Sequence, residues 1–264
     1  MGKMRIDFGM RVLQADATTP YVPLRKGEEW MSADSDLVSA LPVPARGGIE
    51  GGAGYECAVD QDDCHLLVVD RNHGKLYEAY RATFAQSALT ADLVAVWDLH
   101  RLYPPSGRGD QCSSADAAGF PIAPLLFSAD ELAVGRIEHA IRFVLPNPRM
   151  RAHVFVHPAT HAGGPSGPAT APPYGAHFRL KATYDLTQLK PAAQVVARAM
   201  QEYGMFLADG GNITLTAQND ADTTAKYADV DFRPSDLQLL KVTDFEVVDG
   251  GTRIPLTYDC VRNP

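Results

Sequence analysis

His65-Leu66-Leu67-Val68-Val69-Asp70-Arg71-Asn72-His73-Gly74-Lys75-Leu76-Tyr77-Glu78-Ala79-Tyr80 is two strand-forming runs on either side of a turn. Branched and aromatic residues fill both runs, and Arg71-Asn72-His73-Gly74 supplies a glycine where the reversal needs positive φ. A β-hairpin follows. Outward from it, further strand candidates fall at 92–98, 138–145, 151–157, 177–186, 205–209, 212–217, 244–248 and 253–258, separated by turn residues. That spacing predicts an all-β fold, an antiparallel β-sandwich or jelly roll. Helices are few. Pro191 at a first turn, Val195, Val196, Ala199, Met200 and Tyr203 at helical spacing, and Gly204 as terminator predict a helix over 191–203. Ser128-Ala129-Asp130-Glu131 has the form of a capping box and predicts a second, short one; Pro234-Ser235-Asp236-Leu237 is a further helical turn candidate. Residues 1–54 are rich in Pro, Gly, Ala and Asp and read as an extended N-terminal arm packed on a single domain formed by 55–264.

The 264 residues are 45% hydrophobic and 21% charged, enough to bury roughly 70–75% of the unfolded surface. No run approaches the ~18 apolar residues of a membrane span. The balance of 24 Lys+Arg against 32 Asp+Glu gives a net charge of −8, opposite to what attracts nucleic acid or anionic lipid, so neither is an expected partner. Cys57, Cys64, Cys112 and Cys260 contain no C-x-x-C and allow three pairings. Cys57 and Cys64 flank the acidic turn 58–63, where a short-loop disulfide is geometrically possible; Cys260 would then tie back to Cys112. That usage suits an oxidising compartment. Met1-Gly2-Lys3-Met4-Arg5 does not begin a signal peptide.

Candidate functional residues come from charged groups in strand and loop contexts. Alternation in His177-Phe178-Arg179-Leu180-Lys181-Ala182-Thr183-Tyr184 puts His177, Arg179 and Lys181 on one face, either a site for an acidic group or a solvated outer face. Arg142, flanked on its own strand face by Ala140 and Val144, is expected to be partly buried and to need a carboxylate, which Asp116 can supply. Asp116 lies among small residues in Ser113–Pro124, an ordered loop able to present a catalytic acid or merely to cap its own turn. Glu50, within Gly47-Gly48-Ile49-Glu50-Gly51-Gly52, is the second carboxylate that glycoside hydrolysis requires. His161 opens a glycine-rich loop and is a candidate proton shuttle. His153, His157 and His161 have H-x₃-H-x₃-H spacing, but a strand context sets the first two roughly 13 Å apart, too far to share one metal. No metal site or cofactor is expected. G-x-S-x-G, H-E-x-x-H, Walker A and EF-hand patterns are missing, and the glycine cluster neither follows a strand nor opens a helix, which disfavours a dinucleotide site.

Ile49-Glu50-Gly51-Gly52, His65–Asp70, Leu76-Tyr77-Glu78, Ser114-Ala115-Asp116-Ala117-Ala118-Gly119, His139-Ala140-Ile141-Arg142-Phe143, Pro158-Ala159-Thr160-His161, Arg179-Leu180-Lys181-Ala182 and Tyr203-Gly204-Met205 occur in an order that resembles a bacterial family. Its members are mostly secreted proteins of unassigned function, some joined to carbohydrate-binding modules. The likeness covers roughly residues 40–250, and the first forty residues depart from it. It implies export and proximity to polysaccharide.

Together these readings predict a secreted, monomeric carbohydrate-active enzyme that cleaves a polysaccharide or oligosaccharide at a cleft between the 110–124 and 158–176 loops. Asp116 and Glu50 are its expected acid and base or nucleophile, with His161 assisting. Arg142, Arg179, Lys181 and His177 orient these groups or bind acidic sugars, and Tyr174 offers an aromatic surface to a sugar ring. A lyase acting on a uronate-containing glycan and a non-catalytic glycan-binding domain are the alternatives.

Overall fold

The computed structural model describes residues 3–57, 63–85, 87–212 and 215–263. Among these the chain is mostly strands, with two α-helices, Ala129–Val134 and Pro191–Glu202. The hairpin forms as read: Leu66–Asp70 pairs antiparallel with Lys75–Tyr80 about a turn that Gly74 closes at φ 63°. Val12–Ala15 and Leu93–Asp98 flank it in a four-stranded sheet, here the small sheet. A six-stranded large sheet has the order Ile6–Met10, Leu215–Gln218, Ile141–Leu145, Met205–Gly210, His177–Leu180 and Phe245–Val248. A second four-stranded sheet (Ala40–Pro42, Tyr21–Lys26, Ala88–Ala91, Thr83–Ala85) and a two-stranded ladder complete the set.

The expected antiparallel arrangement is corrected. Ile6–Met10 runs parallel to Leu215–Gln218, Ile141–Leu145 to Met205–Gly210, Val12–Ala15 to Leu66–Asp70, and Tyr21–Lys26 to Ala88–Ala91. Ile141–Leu145 and Met205–Gly210 can run parallel because the long connection 146–204, which contains His177–Leu180 and helix Pro191–Glu202, lies between them. The first 54 residues contribute strands to both sheets: Ile6–Met10 belongs to the large one and Val12–Ala15, one residue later, to the small one. Of the candidate strand 212–217, residues 213 and 214 lie outside the described residues, as does most of the acidic turn 58–63.

The two faces of the large sheet differ. Ile6, Leu215, Phe143, Leu207, Met205 and Leu180 form one apolar cluster with Val196 and Met200 of the long helix. The opposite face carries Asp7, Thr216, Arg142, Phe206 and His177, which are neighbours across successive strands. Gly204 ends the helix at φ 75°, where a Cβ would meet the His177 ring and the Phe178 carbonyl. The short helix starts as its sequence predicts: Ser128 Oγ accepts from Glu131 N–H at 3.3 Å, and Glu131 Oε2 accepts from Ser128 N–H at 2.8 Å. Pro234–Leu237 forms turns only.

Both disulfides form, Cys57–Cys64 and Cys112–Cys260. The second joins residues 148 apart and fastens the C-terminal segment to the start of the loop that carries Asp116. Replacing both of its cysteines by serine is expected to cost about 3–5 kcal/mol, chiefly by freeing the unfolded chain, as read from urea unfolding of the variant against the oxidised protein.

Candidate functional site

Where the polar face of the large sheet approaches the end of the small sheet, charged side chains from six segments converge. Arg142 is their centre. It stands mid-strand on Ile141–Leu145 and is buried, with Nη2 donating to Asp116 Oδ2 at 2.6 Å and to Asp209 Oδ2 at 3.3 Å, and Nη1 donating to Thr216 Oγ1 at 2.9 Å. Its equally buried Nε has no hydrogen-bond partner among the described residues.

Asp116 caps its own turn and supplies the carboxylate that Arg142 needs. Oδ1 accepts from the N–H groups of Ala118 at 3.0 Å and Phe120 at 3.4 Å, closing the turn, while Oδ2 takes the guanidinium. Ser114 Oγ donates to Phe120 O at 2.6 Å and accepts from Asp116 N–H at 3.0 Å, so the small-residue segment is tied to itself. Gly119 sits at φ 85°, and a Cβ there would run into Thr160 Oγ1 and the Cys112 carbonyl. Asp116 is wholly buried, which corrects its reading as an acid that touches substrate: it positions Arg142 instead.

Asp209 reaches the same guanidinium through a bulge. Phe206 and Leu207 pair with Arg142 and Phe143, but the register then skips Ala208 and sets Asp209 opposite Val144, on the Arg142 face. About a quarter of its side chain (24%) stays exposed. Burial raises the pKa of Asp116 and of Asp209, and their single shared cation offsets only part of that cost; the two carboxylates therefore titrate as a pair.

Glu50 enters from the glycine cluster. Its N–H donates to His65 O at 2.9 Å, and Gly51 N–H donates to Gly9 O at 3.1 Å, so the cluster is stitched to the end of each sheet. Glu50 Oε2 accepts from His65 Nδ1 at 2.6 Å, and His65 Nε2 donates to Ala115 O at 2.9 Å. A ring donating from both nitrogens is an imidazolium. Burial opposes that charge, yet Glu50 outweighs it and carries the His65 pKa to about 10. Asp7, held by Gly9 N–H at 2.9 Å, is pushed up by burial and by Glu50. Asp63 Oδ1 lies 4.0 Å from His65 Nε2 at an exposed position.

Of the other candidates, His161 is half-buried against the carbonyl of Ala117, the residue after Asp116. Gly163 N–H donates to its Nδ1 at 3.1 Å, Ala117 O lies 3.0 Å from the same nitrogen, and burial lowers its pKa. His177 is stacked on Phe206, ring centroids 4.4 Å apart, and donates to Tyr203 O at 2.9 Å. Arg179 and Lys181 lie on the exposed outer face, bound to Glu246 (2.7 Å) and Thr243 O (2.7 Å). They do not join the cluster. Tyr174 is 1% exposed and belongs to the core, which corrects its reading as a sugar-facing ring. Compared with known proteins, the chain matches no family model, no curated protein and no solved structure. The geometry alone carries the functional reading. Among the described residues no group of three or more His, Cys, Asp or Glu side chains is arranged to hold a metal ion, and no helix is long and apolar enough to cross a membrane.

Asp7, His65, Asp209 and Thr216 were not singled out from the sequence. Asp209 had one visible signal, a lone carboxylate at the end of an apolar strand and before Gly210-Gly211; nothing in the chain text marked His65 as a cation.

Replacing Arg142 with Met is expected to cost about 3–5 kcal/mol, because it strands Asp116 without its cation, and adding Asp116→Asn is expected to recover part of the loss; urea unfolding of the single and double variants measures both. The buried acids also set a pH dependence. Glu78, buried with its carboxylate accepting from Ile122 N–H, Ala123 N–H and the Trp97 indole, is raised by burial to about 7. Glu78, Asp7, Asp116 and Asp209 hold protons more tightly folded than unfolded, so stability falls as pH rises through that range; Glu78 alone accounts for about 3 kcal/mol. His65 adds a further loss from its unfolded pKa up to about 10. Thermal unfolding is expected to show a higher Tm near about pH 5 than near about pH 9, with the difference reduced in Glu78→Gln.

Proposed function

We propose that the protein is a secreted carbohydrate-active enzyme that hydrolyses a glycosidic bond in a polysaccharide or oligosaccharide, with Glu50 and Asp209 as its two carboxylates. One observation carries the reading: the polar cluster holds two partly exposed carboxylates, Glu50 and Asp209, in contrasting environments. Asp209 shares a buried guanidinium with Asp116 and has its pKa raised by burial, which suits the acid that protonates the leaving oxygen. Glu50, bonded to an imidazolium at 2.6 Å, suits the ionised partner that attacks the anomeric carbon or activates water. A buried-side acid beside a carboxylate held by a cation is the pattern that divides acid from base.

Arg142, Asp116 and His65 are positioning residues in this scheme. The two disulfides agree with an oxidising compartment. The lyase alternative loses its support, because Arg179 and Lys181, which would neutralise a uronate, are engaged on the outer face away from this cluster. For the binding-module alternative, Trp97 and Tyr174 are buried and only the half-buried Trp30 and Tyr103 remain of the rings that could serve it.

Incubation with a panel of neutral and acidic polysaccharides tests the reading. New reducing ends without the ultraviolet absorbance of an unsaturated uronate are expected, with Glu50→Gln and Asp209→Asn each lowering turnover by about a hundredfold or more. Release of unsaturated products, or full activity in either variant, overturns it.

A further inference from the structure

A cavity of about 350 Å³ is lined by none of the charged residues of the cluster. Its sides include Leu76, Trp97, Tyr103, Phe120, Pro121 and Pro158, and its volume is that of a small-molecule site. The polar atoms of its rings are already engaged: the Trp97 indole N–H donates to Glu78 Oε2 at 2.9 Å, and the Tyr103 hydroxyl accepts from Asp98 N–H at 2.8 Å. A sugar placed there would leave hydroxyls without partners, at a cost of kilocalories each. A flat apolar ring would not.

Two charged residues stand in the same wall. Asp98 is spoken for: Oδ2 accepts from Lys75 Nζ at 2.7 Å, and Oδ1 from His100 N–H at 2.9 Å. Arg101 is exposed, with its guanidinium carbon 5.0 Å from the Tyr103 ring centroid, and has no carboxylate partner among the described residues. An unneutralised cation laid over an aromatic wall, beside an apolar hollow, matches a ligand with a ring at one end and a negative charge at the other. We propose that this cavity is a binding site for a small planar aromatic carboxylate, its ring among Trp97, Tyr103 and Phe120 and its carboxylate on Arg101. The site stands independently of the glycoside-cleaving reading.

The full chain is titrated with trans-cinnamate and with cinnamamide, which has the same shape without the charge, by calorimetry and by following the indole N–H signals of the two tryptophans. Saturable cinnamate binding that shifts the Trp97 signal and not that of Trp30 is expected. Cinnamamide is expected to bind at least about tenfold more weakly, and Arg101→Ala, a change at an exposed side chain, to bring cinnamate down to the same level. No saturable binding, equal binding of the two compounds, or undiminished cinnamate binding by Arg101→Ala overturns the proposal.

Discussion

A buried guanidinium shared by two carboxylates organises this molecule. Arg142 lies in the middle of the large sheet, yet its charge is met by Asp116 from the loop outside that sheet and by Asp209 from the next strand. Withdrawing such a group from water costs several kcal/mol, and the attraction returns that only when geometry is good and remaining donors are satisfied. The contact therefore acts less as a source of net stability than as a constraint. Any shift of the 113–124 segment or of the Met205–Gly210 strand leaves a charge buried without its counterpart.

Two further polar joints complete the frame. Glu78, in the small sheet, accepts from Ile122 and Ala123 and so anchors the far end of the loop that begins at Asp116. His65, at the start of the same hairpin, binds Glu50 on one nitrogen and the Ala115 carbonyl on the other. The loop is thus held to both sheets by ionisable groups, and Gly119 lets it pass close to Thr160 and Cys112. This arrangement explains why several acids in one region have raised pKa values. They are buried together because the joints between sheets are polar, and there are fewer cations than carboxylates to meet them.

Much of the local structure was legible in the sequence. The 65–80 hairpin, the helix ended by Gly204, the Ser128–Glu131 capping box and the need of Arg142 for Asp116 all follow from short-range chemistry: turn residues, helical spacing and the cost of a lone buried charge. Other readings failed where distant segments decide. Alternation correctly made Arg179 and Lys181 polar-facing, but nothing local says whether that face lines a cleft or meets solvent. Tyr174 reads as an available ring until Phe155 and its neighbours enclose it. Asp209 was hidden because strict alternation assigns it to the wrong face, and only the register slip against Val144 turns it inward.

The amino-acid sequence by itself determined the elements and the residue types that require partners: short strands, two helices, and an arginine that cannot be buried alone. Those properties depend on neighbours within a few positions. Only the tertiary structure decided that the sheets are mixed, that Asp116 is closed to solvent while Glu50 and Asp209 are not, and that His65 is a cation. Each of these depends on which strand lies beside which, and so on packing between segments far apart in the chain.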